Sequence, residues 1–134
     1  MLDQRPFILI VEDDMPLRKV LTRYLQAKGY MVLQAASLRE AVDRIAIKPN
    51  LAILDIHLPD GTGWEVAEWL RSCTKDVPVM LMSASTRPTP MQLQKVGAKA
   101  FLAKPFPIEK LLSLVTQYAP LPEDLSTGMY AAGF

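Results

Sequence analysis

Three consecutive acids, Glu12, Asp13 and Asp14, follow the apolar run Phe7 to Val11, and a fourth, Asp55, follows the run Leu51 to Leu54. Ser83 stands after Val77 to Met82, and Lys104 after Ala100 to Ala103. Carboxylates gathered within about 4–6 Å oppose one another's ionisation, so such a group stays charged only beside a cation. The chain holds one cysteine and one histidine, which leaves oxygen ligands and points to a hard divalent ion. Mg²⁺ suits that set, because it takes one or two carboxylates, keeps several waters and adds a phosphate oxygen. A hydroxyl and an ammonium alongside are the donors that phosphate chemistry uses.

The elements that must bring these residues together are legible from periodicity. Five strand-sized apolar runs, Phe7 to Val11, Met31 to Ala35, Leu51 to Leu54, Val77 to Met82 and Ala100 to Ala103, are continuous and not alternating, as in a parallel sheet covered on both faces. Leu17, Val20, Leu21, Tyr24 and Leu25 share one face of a first helix that starts near Pro16 and stops at Gly29. Ser37 and Glu40 form a capping box ahead of Leu38, Ala41, Val42 and Ile45, and Pro49 forbids continuation. Val66, Trp69, Leu70 and Cys73 mark a third helix, with Cys73 expected as a small core residue. Leu93 and Val96 mark a short fourth helix before Gly97, and Ile108, Leu111, Leu112 and Val115 a fifth. Strand and helix alternating five times give an α/β domain with a doubly wound sheet. Ligands of such sheets bind at the carboxyl ends of the strands, which is where the acids, the serine and the lysine stand.

Length and composition narrow the classes. The 134 residues suit one domain, and 50% hydrophobic with 22% charged residues excludes disorder of the whole chain. A net charge of +1 with no dense basic run argues against direct nucleic-acid binding. No apolar run approaches the roughly 18 residues of a membrane span, and residues 1–6 have no signal-peptide layout, so a cytoplasmic location is expected. The expected division is an extension at 1–6, a domain at 7–119 and a loosely ordered tail at 120–134.

The segments ILIVEDD, LAILDIHLPDGTGWE, VPVMLMSA and FLAKPF resemble, in order and spacing, the four signatures of response-regulator receiver domains of two-component signalling. The resemblance implies a flavodoxin-like (βα)5 fold with five parallel strands in the order 2-1-3-4-5, which would make the four contributing strands neighbours. It implies that Asp55 is the phosphoacceptor, that Glu12, Asp13, Asp55 and the backbone carbonyl of His57 hold Mg²⁺, and that Lys104 and Ser83 contact the phosphoryl group. Ser83 and Phe101 take the positions of the family's switch pair, and the Lys104–Pro105 bond is expected to be cis. The His57 side chain is placed to shade the phosphoryl group from water. Asp14 is left outside the metal shell as a helix cap.

The function implied is a phosphorelay switch, charged by a histidine kinase or histidine phosphotransfer protein. It would be read by a downstream effector, or by a phosphorylation-dependent dimer, on the surface of the fourth helix, fifth strand and fifth helix. No chemistry beyond self-phosphorylation and self-dephosphorylation is expected. Two other readings compete. A Mg²⁺-dependent phosphatase or phosphotransferase with an aspartate nucleophile ordinarily has a second acid two residues on, where this chain has His57. A phosphorylation-independent pseudo-receiver ordinarily lacks one of the acids or the lysine, and all are present here.

Overall fold

Every second residue of a strand faces the same way, and this alternation sorts the interior into two halves. In the computed structural model, which describes residues 4–74 and 76–123, five parallel strands form one sheet: β1 (Phe7–Val11), β2 (Met31–Ala35), β3 (Leu51–Asp55), β4 (Val79–Ser83) and β5 (Ala98–Ala103). Their spatial order is β2-β1-β3-β4-β5, as the resemblance implied. Ile8 and Ile10 of β1, Leu51 and Ile53 of β3, Met80 and Met82 of β4 and Leu102 of β5 face one layer. That layer holds α1 (Met15–Ala27) and α5 (Ile108–Tyr118). Leu9, Val11, Ala52, Leu54 and Leu81 face the other, under α2 (Leu38–Ile45), α3 (Gly63–Cys73) and α4 (Pro90–Lys95). Apart from Ala52, each of these fully buried side chains contributes about 1.5–3 kcal/mol relative to exposure.

Helix limits follow local chemistry. Asp14 Oδ1 accepts from Leu17 N–H at 3.3 Å and caps α1, and Gly29, with φ of +107°, lets the chain turn out of it. Ser37 caps α2, while Asp60 reaches across from the segment after β3 to accept from Leu38 and Arg39 N–H at 2.7 and 3.1 Å. A short antiparallel ladder, His57–Leu58 with Gly61–Thr62, leads into the capping box of Thr62 and Glu65 at the head of α3. At the opposite end of the sheet the Tyr30 hydroxyl donates to the Ala119 carbonyl at 2.9 Å, and burial pushes its pKa up to about 12.

Three expected core positions are on the outside. Cys73 is exposed and Trp69 is 50% exposed, because α3 buries Gly63, Val66, Ala67 and Leu70 instead. The helix is phased by Gly63, whose Cα lies so close to the end of β3 that a Cβ would stand 2.3 Å from the Asp55 carbonyl oxygen. Val20 is likewise 55% exposed, while Thr22 is buried beside Leu21 and Leu25. The fourth strand begins at Val79 and not at Val77. Leu121 packs against the α1 and α5 layer, so part of the stretch expected as a tail is anchored. Residues 124–134 lie outside the described part.

Candidate functional site

The row Ile8, Ile10 on β1 continues to Glu12, the row Leu51, Ile53 on β3 to Asp55, and the row Ala100, Leu102 on β5 to Lys104. By the period of two, all three polar residues emerge on the α1 and α5 side of the sheet at its carboxyl edge. The ladders run on far enough to fix them: Glu12 N–H donates to the Ala35 carbonyl at 3.0 Å and Lys104 N–H to the Ser83 carbonyl at 2.9 Å. Lys104 Nζ lies 2.8 Å from Asp55 Oδ2 and also pairs with Glu12 Oε1. One carboxylate oxygen from each of Glu12, Asp13 and Asp55 falls within 4.8 Å of the others. Glu12 and Asp55 are 1% and 6% exposed, whereas Asp13 faces solvent.

Asp14 does not join them, because its carboxylate is used as the α1 cap. The Asp14 N–H donates to Glu12 Oε2 at 3.2 Å and orients the glutamate. His57 N–H donates to Asp55 Oδ1 at 3.2 Å, and the His57 ring, exposed, meets Thr86 Oγ1 through Nε2 at 2.7 Å. Ser83 is 2% exposed, and its Oγ accepts from Ser85 and Thr86 N–H at 3.2 and 2.9 Å. Ser83 and half-buried Phe101 lie on the other face of the sheet, on the neighbouring strands β4 and β5 and two register positions apart. The Lys104–Pro105 bond is cis.

Arg18 and Thr86 were not singled out by sequence reasoning. Arg18 Nη1 donates to the Glu12 carbonyl at 2.7 Å and its Nε to Gln34 Oε1 at 3.2 Å. The only signal for it is its place on the first turn after the Asp14 cap, from which a long side chain points back toward the strand end.

Burial raises the Glu12 pKa from 4.5 to about 7, against the opposing pull of Lys104. Burial also works against the Lys104 ammonium, yet its hydrogen bonds and charge interactions with Asp55 and Glu12 outweigh this and raise its pKa. An acid this costly to ionise, beside two further carboxylates, is a donor set that a divalent cation would relieve. Its all-oxygen chemistry fits Mg²⁺.

A sequence model of the response regulator receiver domain matches residues 8–116. The response regulator MprA of Mycolicibacterium vanbaalenii is 39% identical over 111 residues, covering 79% of this chain and 47% of that protein. The transcriptional regulatory protein CssR of Bacillus subtilis is 32% identical over 121 residues, covering 84% and 54%. The chain thus spans about half the length of the curated relatives it matches. Among solved structures, the non-phosphorylated HemR receiver domain from Leptospira biflexa aligns with a TM-score of 0.80 at 30% identity, covering 89% of this chain and 98% of that one. TrrA from Thermotoga maritima, in complex with Mg(2+)-BeF, aligns with a TM-score of 0.76 at 30% identity, covering 84% and 98%. Among the described residues no helix is long and apolar enough to cross a membrane. With the strand order, the acidic cluster and the sequence match in agreement, the chain belongs to the response regulator receiver domain family.

Proposed function

We propose that Asp55 accepts a phosphoryl group from a histidine kinase or histidine phosphotransfer protein, and that residues 7–119 act as the switch it controls. The observation that carries this reading is the meeting of Glu12, Asp13, Asp55 and Lys104 at one edge of the sheet. Glu12, Asp13, Asp55 and the His57 backbone carbonyl are the ligands proposed for Mg²⁺. Bound there, the ion would neutralise charge on the phosphoryl oxygens and align donor with acceptor.

The chain's own groups supply the rest. A carboxylate oxygen of Asp55 bonds to phosphorus as the bond from phosphorus to the donor imidazole breaks, and the imidazole departs with the electron pair. Lys104, already beside Asp55, holds the transferred oxygens as a point charge, and Ser83 donates to them through its hydroxyl. No other substrate is turned over.

The acyl phosphate carries about −1.5 to −2 charges where the free Asp55 carboxylate carried one, so the site gains about one negative charge, spread over the phosphoryl oxygens. A charge of that size shifts a two-state surface only where the states contact it differently. Ser83 supplies such a difference, because its Oγ now serves as an acceptor for two amides, and Phe101 lies on the same face, opposite Leu81 and so two positions along the ladder. The surface so biased is α4, β5 and α5, which we assign to the downstream effector or a second copy. A groove of about 430 Å³ between α1 and the segment after β5, lined by Leu17, Val20, Phe106 and Ile108 and bordered by Lys104, suits the phosphodonor's apolar contact. Intact-mass measurement after incubation with Mg²⁺ and a small acyl phosphate tests the reading. One added phosphoryl on the wild type and none on Asp55→Asn supports it, and equal labelling of the two refutes it.

A further inference from the structure

Two residues outside the acidic cluster are joined across its rim. His57, after β3, and Thr86, after β4, meet through Nε2 and Oγ1 at 2.7 Å. The backbone N–H of the same His57 holds Asp55 Oδ1 at 3.2 Å, and the backbone N–H of the same Thr86 holds Ser83 Oγ at 2.9 Å. The side-chain bond therefore closes a circuit that runs Asp55, His57, Thr86, Ser83. Because β3 and β4 are paired neighbours, with Asp55 opposite Met82, this circuit spans the gap between the two strand ends. A phosphoryl group on Asp55 must enter that gap to meet the Ser83 hydroxyl. Beneath the circuit Asp55 and Ser83 are 6% and 2% exposed, while His57 faces solvent and Thr86 is half-buried. The bond is the outer layer of the site.

We infer that His57 and Thr86 form a latch over the phosphorylation site. Closed, it holds the segment after β4 folded onto Ser83 and covers Asp55. Open, it admits the phosphodonor before transfer and water after it. The inference rests on Asp55 as the phosphoacceptor and adds control of its rates. Both residues act as positioning residues, since Thr86 contributes none of the acids and His57 acts here through its ring. A latch that governs access must change formation and hydrolysis of the acyl phosphate together, while leaving cation affinity alone. A shield against water alone would change hydrolysis only.

Thr86→Val removes the hydroxyl and keeps the shape, and Thr86→Ser restores the hydroxyl. Amide hydrogen exchange at Ser85 and Thr86 is measured on the unphosphorylated protein. Formation with a small acyl phosphate, decay after its removal and Mg²⁺ affinity are measured alongside. The valine variant is expected to exchange faster and to gain about two- to tenfold in both rates, the range one neutral hydrogen bond supports. Its Mg²⁺ affinity stays at the wild-type value, and the serine variant behaves as wild type. Unchanged exchange in Thr86→Val overturns the latch whatever phosphorylation does. Faster exchange with unchanged rates, a change in hydrolysis alone, or a serine variant that behaves like valine also overturns it. If wild-type protein takes no phosphoryl group while Asp55 remains accessible to Mg²⁺, the phosphoacceptor reading fails, and the exchange data still decide whether the bond restrains the segment.

Discussion

Lys104 Nζ and Asp55 Oδ2 stand 2.8 Å apart although 49 residues separate them in the chain. The same ammonium pairs with Glu12, so one lysine serves as the countercharge for two buried acids. Lys104→Met removes that charge and leaves two carboxylates facing each other at 1% and 6% exposure. A carboxyl with a raised pKa binds a proton in the folded chain that the unfolded chain has already released. For Glu12 this favours folding below about 4.5, and the contribution is lost as the pH climbs through about 7. Losing Lys104 raises that pKa further. Urea unfolding of the metal-free variant should therefore show a loss of about 3 kcal/mol at pH 8, shrinking as the pH is brought to 5. A loss equal at both pH values would contradict the pairing.

Mg²⁺ affinity should follow the same proton. A cation held by Glu12, as proposed, would bind its ionised form, so below pH 7 it would compete with a proton, and affinity should fall toward about tenfold for each further pH unit. Calorimetric titration at pH 6 and pH 8 checks this. Equal affinities would show that Glu12 is ionised throughout and that its burial is relieved in some other way.

Gly63 is the tightest point between helix and site. A Cβ there would meet the Asp55 carbonyl oxygen at 2.3 Å, and the obstacle is backbone that no side-chain rotation can clear. Gly63→Ala should destabilise the fold by about 1–3 kcal/mol and slow phosphorylation by displacing Asp55. Denaturant unfolding and phosphorylation kinetics together test it, and full stability with wild-type rates would be inconsistent with the packing.

Asp60 couples the segment after Asp55 to the start of α2. The N–H groups of Leu38 and Arg39 hold its pKa below the ordinary 3.8, so its contribution is present above that value and is lost as the pH falls through the lowered one. Asp60→Ala should speed amide exchange at Leu38 and Arg39 and lower Tm at neutral pH. Asp60→Asn should keep most of the cap while removing its acid dependence. Exchange unaltered by alanine would mean that Ser37 suffices alone.

Much of this molecule is written in short-range pattern. Continuous apolar runs followed by acid, serine or lysine located four of the five strands that matter to the site, since a covered parallel strand leaves polar side chains only at its ends. What periodicity did not show was the phase of α3. The spacing of Val66, Trp69, Leu70 and Cys73 is as regular as that of Val66, Ala67 and Leu70. The choice between them is made by the contact of Gly63 with Asp55, which is distant in kind from any helical pattern. Val20 fails for a related reason, as α1 turns Thr22 inward and leaves Val20 on the groove beside Phe106. The bond between His57 and Thr86 joins two loops through ordinary polar residues, whose types carry no signal until the strands bring them together.

Hydride reduction of the phosphorylated chain converts an aspartyl phosphate to homoserine, and peptide mapping then locates it. Homoserine is expected at Asp55, dependent on Mg²⁺ and absent without the phosphodonor. Homoserine at Asp13 or Asp14, or a phosphoryl retained on His57, would contradict Asp55 as the phosphoacceptor.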